Sequence, residues 1–311
     1  MSSKTANRVV APGVIPQLYR MLRPILEFGR RAKNVIVYTQ LDIAMMAIAG
    51  VLTVMFVLSL PLSPAPVVIG LVTYGVYVGD RISDIKREPE ATSDRAAFMN
   101  RHKSFLSITS AGAYGLAVTI SVWGGPLALS ITLIPGVFWV LYATEWFDLP
   151  GASLKRLKSV LIVNSSVVAF AWAASLVFLP IAFAKASVST LGIVLLVYFF
   201  LDIFINAEVP NIRDIEDDAK NGVSTIPNVF GVRKTRHVTY LINGFLIALI
   251  ASTFFIGSLT VAVAVAFLAG RMYAIVAHSF IGRIDDYRRL EIVGEMKHVF
   301  VGVLLLALVL Y

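Results

Sequence analysis

Cysteine is missing from this 311-residue chain, so no disulfide, thiolate metal site or cysteine nucleophile can form. Charge is scarce too. Only 15% of residues are Asp, Glu, Lys or Arg, too few to solvate an ordinary soluble protein of this length. The first 40 residues lack the apolar core and cleavage site of a signal peptide, so targeting is expected from the first spanning segment. The four histidines, His102, His237, His278 and His298, lack metal-ligand spacing and are expected at the membrane interface. No internal repeat of 20–50 residues is evident.

What fills the chain is apolar: 58% hydrophobic residues and a mean hydropathy of +0.80. A helix needs about 20 apolar residues to cross a bilayer, and such runs recur. We read nine spans: Ile43–Leu60, Ala65–Gly79, Ser104–Trp123, Leu127–Thr144, Val160–Pro180, Thr190–Ile205, Val238–Ile256, Leu259–Ser279 and Val299–Tyr311. The fold class is therefore all-α: a polytopic bundle expected to enclose a central cavity open to lipid. Residues 1–41 form a basic tail with an interfacial helix over Pro16–Lys33, and residues 42–311 the transmembrane domain.

The net charge of +8 could mean nucleic acid, but its distribution argues otherwise. Of the 27 Lys and Arg, only Lys185 and Arg271 lie outside the tail and four long connections, Asp80–Lys103, Glu145–Ser159, Asn206–His237 and Phe280–His298. The alternate connections are short and almost uncharged. By the positive-inside rule the tail and the long connections face the cytoplasm, which places the protein in the cytoplasmic membrane. Arg271, inside the eighth span, is a functional candidate or a locally paired charge.

Two acidic clusters stand on that face. Gly79-Asp80-Arg81-Ile82-Ser83-Asp84 closes the second span, and N-I-R-D-I-E-D-D-A-K-N-G-V-S-T-I-P over Asn211–Pro227 follows the sixth. Asp80 with Asp84, and Asp214 with Asp218, are four residues apart, so a helix sets each pair on one face with Cβ atoms about 5–6 Å apart. Gly222 is placed to end the second helix in a left-handed turn. Hard oxygen ligands of this kind suit Mg²⁺, usually held by one or two carboxylates plus substrate phosphates. Each pair taken alone also reads as a solvated helix end beside a membrane. Asp285-Asp286 reads as a solvated loop, because adjacent residues diverge on a helix.

On these residues the chain resembles the UbiA superfamily of intramembrane prenyltransferases. The second cluster is similar to the family's D-x-x-x-D-x-x-x-G-x-x-T-(L/I)-P over its whole length, and Phe230-Gly231-Val232-Arg233 also fits. The first matches in part: the family's N-D-x-x-D-x-x-x-D finds Val76 at the Asn position and Tyr77 beside it, leaving Asp80 and Asp84. Tyr142, the basic Lys155-Arg156-Leu157-Lys158 and Asn164 match further. The resemblance implies Mg²⁺-dependent transfer of a prenyl group from a prenyl diphosphate to an aromatic or lipid acceptor. Asp80, Asp84, Asp214 and Asp218 would be the metal-holding, catalytic carboxylates. Arg81, Lys155, Arg156, Lys158 and Lys220 would meet phosphate, with Tyr142, Asn164 and Asn211 also at the substrate. Trp146 joins Tyr142 as an aromatic face for the allylic cation.

Each minor assignment has a plainer counterpart. Lys155, Arg156 and Lys158 serve equally as topology charges, Tyr142 and Trp146 as interfacial aromatics, and Asn164 as a bond between helices. Two other functions compete. A membrane terpene cyclase needs the same clusters but closes the cation on its own double bonds. A divalent-cation transporter would want its carboxylates near the midplane rather than at one face.

Overall fold

In a computed structural model of the protein, the described residues are 23–24, 27, 29, 32–87, 94–143, 161, 163–220 and 222–310, without the side chains of 84–87, 141–143 and 164. Among them the chain is all helix. The elements are α1 (Ala32–Tyr38), α2 (Leu41–Val57), α3 (Ala65–Arg87), α4 (Asp94–Arg101), α5 (Lys103–Trp123), α6 (Pro126–Ala143) and α7 (Val163–Phe183). Then come α8 (Thr190–Arg213), α9 (Ile215–Lys220), α10 (Ile226–Phe230), α11 (Val232–Phe255), α12 (Val261–Ser279), α13 (Tyr287–Glu295) and α14 (Lys297–Leu310).

Among the described residues, each apolar run predicted as a span overlaps a helix. Six helical stretches are long and apolar enough to cross a membrane, and a seventh arises if α1 and α2, bent by 72° where Gln40 takes φ 57°, form one span. Large apolar side chains such as Ile108, Leu241, Val276 and Leu306 are exposed on the outside, as lipid contact requires. The helices pack in chain order into a closed ring, in which α14 returns to α2. The helix α7 leans inward, touching α2 and α3 as well as α6 and α8, and its apolar stretch is 67% buried.

The charged connections hold more order than hydropathy suggested. The helix α3 runs eight residues past Gly79, carrying Asp80 and Asp84 within it, and α8 runs on from Ile205 to Arg213. Backbone hydrogen bonding does not stop where hydropathy does. The short elements α4, α9, α10 and α13 fill out what the sequence presented as loops.

The second acidic motif departs from expectation. No single helix runs through Asp214 and Asp218. Asp214 is the C-cap of α8 (φ −98°, ψ 12°), and Asp218 belongs to the short α9. One turn survives across the break, with the Asp218 amide donating to the Asp214 carbonyl at 2.8 Å. Gly222 does end α9 left-handed, at φ 66°, and the Val223 amide closes back on the Asp218 carbonyl at 2.8 Å. Thr225 then starts α10, where its amide donates to Asn228 Oδ1 at 3.0 Å and Pro227 sits in the first turn. The G-V-S-T-I-P part of the motif thus shapes the chain's return to the bundle.

Candidate functional site

A cavity of about 340 Å³ opens inside the ring. One end is polar, lined by Asp80, Arg81, Asn211, Glu291 and Glu295. The rest is apolar and aromatic, with Met46, Val76, Phe138, Leu176 and the stacked rings of Tyr77 and Trp172.

Each polar group is held by a neighbouring helix. Asp80 faces the cavity from the last third of α3, where Trp139 of α6 donates its indole N–H to Asp80 Oδ1 at 3.1 Å. On the opposite wall, Glu208 of α8 is buried, with its carboxylate accepting from Ser165 Oγ of α7 at 2.6 Å and from Asn211 Nδ2 at 3.2 Å. A buried carboxylate needs such donors, and here they fix Asn211 in the cavity wall. Arg213 clasps Asp214 through both carboxylate oxygens, at 2.7 and 2.9 Å, and reaches Glu291 of α13 at 3.3 Å. The polar end is also cationic. Arg81, Arg95 and Arg288 line a small side pocket with Asp42, and burial, reinforced by Arg81 and Arg288, pulls the Arg95 guanidinium down to about 10.

The structure therefore gathers Asp80, Arg81 and Asn211 at one cavity. Asp214 and Asp218 follow Asn211 directly in the chain and are not among the lining residues. Lys220 is exposed and paired with Asp217 at 3.3 Å. Asp84, Tyr142 and Asn164 sit on described helices with their side chains outside the description, and Trp146, Lys155, Arg156 and Lys158 lie outside the described residues. Asp286 is no idle loop acid: it caps α13, accepting from the Arg289 amide at 3.0 Å.

A second cluster escaped the sequence reading. Asp202, in the middle of α8 and fully buried, accepts from Arg271 at 2.6 Å and pairs with Lys297 at 3.1 Å and His298 at 3.3 Å. Arg271 lies over the Tyr198 ring, and Asn243 links it to His278. His278 and His298 thus lie inside the bundle, and Lys297 belongs to α14 rather than to a loop. The signal was present: one acid in the sixth span and one base in the eighth, each costly alone in an apolar helix and natural partners for each other.

Hard oxygens of carboxylate and amide face each other across the polar end, a donor set that suits Mg²⁺ rather than a soft metal. Among the described residues no three His, Asp or Glu side chains form a ready cage.

Comparison with known proteins places the architecture. No curated protein matches the chain. Among solved structures it is similar to digeranylgeranylglyceryl phosphate synthase, at 17% identity over 90% of this chain and 98% of that one, with a TM-score of 0.57. It is also similar to a UbiA homologue from Archaeoglobus fulgidus bound to GPP and Mg²⁺, at 10% identity over 88% and 99%, with a TM-score of 0.60. The same homologue bound to DMAPP and Mg²⁺ gives 11% identity and 0.59. At such identities the likeness is one of fold. The sequence profile of the UbiA prenyltransferase family matches residues 102–301, well over half of the chain. The six apolar membrane-length stretches agree with it, and the chain is an integral membrane protein belonging to the UbiA prenyltransferase family.

Proposed function

We propose that this protein transfers a prenyl group from a prenyl diphosphate to an aromatic or lipid acceptor inside the membrane, with its active site on the cytoplasmic face. The observation that carries the reading is the two-part cavity: a polar end with Asp80, Arg81 and Asn211, continued by apolar and aromatic walls. A prenyl diphosphate has the same two parts. Asp80 and Asp84 on one side, and Asp214 and Asp218 on the other, would hold Mg²⁺, which when bound neutralises the diphosphate and helps it leave.

The chain's own residues do the rest. Trp139 holds the Asp80 carboxylate in place, and Glu208 with Ser165 holds Asn211 towards the head group. Arg81 offers charged donors to phosphate oxygens. Lys155, Arg156, Lys158 and Lys220 are further phosphate partners, with Tyr142 and Asn164 beside the substrate. Phe138, Trp139 and the Tyr77–Trp172 stack exclude water from the allylic cation and offer it ring faces. For Asp214 to join, Arg213 must release it, which a phosphate competing for the guanidinium can bring about.

The experiment is incubation of purified protein with Mg²⁺, prenyl diphosphates from dimethylallyl to geranylgeranyl, and a total lipid extract, read by mass spectrometry. A product of prenyl plus acceptor, formed only with both present, is expected. Asp80→Asn and Asp214→Asn should each suppress diphosphate release in a protein that still folds, whereas Asp285→Asn should be mild. A cyclic hydrocarbon formed without extract would replace this reading with a terpene cyclase.

A further inference from the structure

Outside the aspartate clusters, two polar side chains of the cavity wall stand out. His298 opens α14 and Asn206 lies on α8, and both line the cavity. His298 is oriented: its Nε2 is 3.3 Å from Asp202 Oδ2, and its ring stacks on Phe199 at 5.9 Å between centroids. Asp202 also faces Arg271 and Lys297, and it gives the imidazole an acidic neighbour on one side. Among the described residues neither ring nitrogen makes a hydrogen bond, so in either neutral tautomer the ring keeps one nitrogen lone pair for a proton.

Asn206 is four residues from Asp202, one turn along the same face of α8. It is 6% exposed, and its Nδ2 is buried without a hydrogen-bond partner. An orphaned amide donor and an imidazole acceptor that line the same cavity match one functional group in particular. A hydroxyl accepts from the first and donates to the second. Asn206 stands eight residues before Asp214, about 12 Å along the helix axis, leaving room for a diphosphate between the two levels.

We propose that His298 is the general base of the transfer and that Asn206, lining the same cavity, receives the hydroxyl of an alcohol or phenol acceptor. This rests on the prenyl-transfer reading. The C1–O bond of the prenyl diphosphate breaks with its electron pair going to the diphosphate. The acceptor oxygen forms the new bond to C1, and its proton passes to the unprotonated ring nitrogen of His298. Asp202 stabilises the imidazolium until water takes the proton away. The oxonium ion formed on capture is a strong acid, so a neutral imidazole is base enough.

The test measures diphosphate release and transfer product together, with Mg²⁺, prenyl diphosphate and total lipid extract. In the wild type the two should match. In His298→Asn and His298→Gln transfer should fall by about 10²-fold, the lower range for a lost general base, while the cation goes to water. Prenyl alcohol should then exceed transfer product by tenfold or more. Added imidazole should restore transfer in His298→Ala. Asn206→Ala should raise the amount of extract needed for half-maximal transfer. If release and transfer stay matched in both His298 variants, whether fast or slow, His298 is not the base. A wild type that makes hydrocarbon without extract overturns the hydroxyl acceptor but leaves the ionisation standing. A wild type that releases no diphosphate from any of the prenyl diphosphates overturns the prenyl-transfer reading itself.

Discussion

Removing the Asp202 carboxylate should damage this protein far more than removing one of its partners. Asp202 is fully buried, and so are the Arg271 and Lys297 that share it, at 2.6 and 3.1 Å. Asp202→Asn leaves both cations in the bundle interior without a counter-charge. Breaking a buried ion pair by deleting one partner costs about 3–5 kcal/mol. The two cations meet different oxygens of one carboxylate, so they lie within about 8 Å of each other, and at an effective dielectric of 20 they repel by about 2 kcal/mol. Lys297→Met does the opposite. It removes the excess cation, gives up an ion contact at 3.1 Å that makes no hydrogen bond to Asp202 Oδ2, regains the repulsion, and leaves Asp202 paired with Arg271. The net change should therefore be far smaller than for Asp202→Asn. Thermal unfolding in detergent, followed by monodisperse elution, reads the difference: a large drop in Tm for Asp202→Asn and a small one for Lys297→Met. Equal drops, or the reverse order, would refute the charge accounting.

Three further outcomes follow from the geometry. Trp139→Phe keeps the apolar wall but removes the N–H held on Asp80, so turnover should fall by about tenfold, the worth of about 1.4 kcal/mol, in a protein of near-normal Tm. Gly75 lets α3 approach α5: a Cβ there would sit 3.0 Å from the Ser110 carbonyl oxygen and from Tyr114 Cβ, so Gly75→Leu should cost about 1–3 kcal/mol in detergent stability. Cysteines at Ser63 and Ser258, in a chain that has no other, should react with an impermeant reagent from outside while one at Ser224 does not; the reverse would move the site to the other face.

The parts legible in the sequence were those whose physics is local. Apolar runs marked the helices, and an i, i+4 spacing of aspartates at the end of a run found Asp80 on the cavity. Gly222 read correctly as a left-handed stop because only a residue without Cβ takes that φ cheaply. What the sequence hid depends on contacts between distant elements. Asp202 looked like one tolerated acid in an apolar segment until α12 and α14 brought Arg271 and Lys297 to it. Asn206 and Glu208 lay past the last apolar residue of the run, where hydropathy marks a loop, yet α8 continues and buries both. Glu291 and Glu295 passed unnoticed because nothing in their own stretch says that α13 folds over the cavity. The break at Asp214 was likewise invisible: the spacing to Asp218 suits a continuous helix, but α8 is capped there and Arg213 turns back onto the carboxylate.

The departures from the family's first motif take on meaning in the same light. Val76 and Tyr77 stand where the family pattern has its leading polar residue and its neighbour, and both line the cavity. Tyr77 stacks on Trp172 at 5.5 Å, so position 77 contributes a ring to the wall. Asparagine at position 76 would bring an amide one turn below Asp80 on the same helix face. Valine instead carries the apolar surface up to the level of the first carboxylate. The polar end is thereby confined to Asp80, Arg81 and the α8 and α13 side chains opposite, and the apolar region begins within one helical turn of it. On the proposed reading, a cation formed at that boundary would meet rings and methyl groups on the α3 side. The polar side chains able to accept a proton, His298 and the glutamates of α13, lie on the α8–α14 side. The substitutions at the head of the motif therefore sharpen an asymmetry across the cavity. On the proposed reading, one wall would face the cation and the other would take the proton that the acceptor gives up.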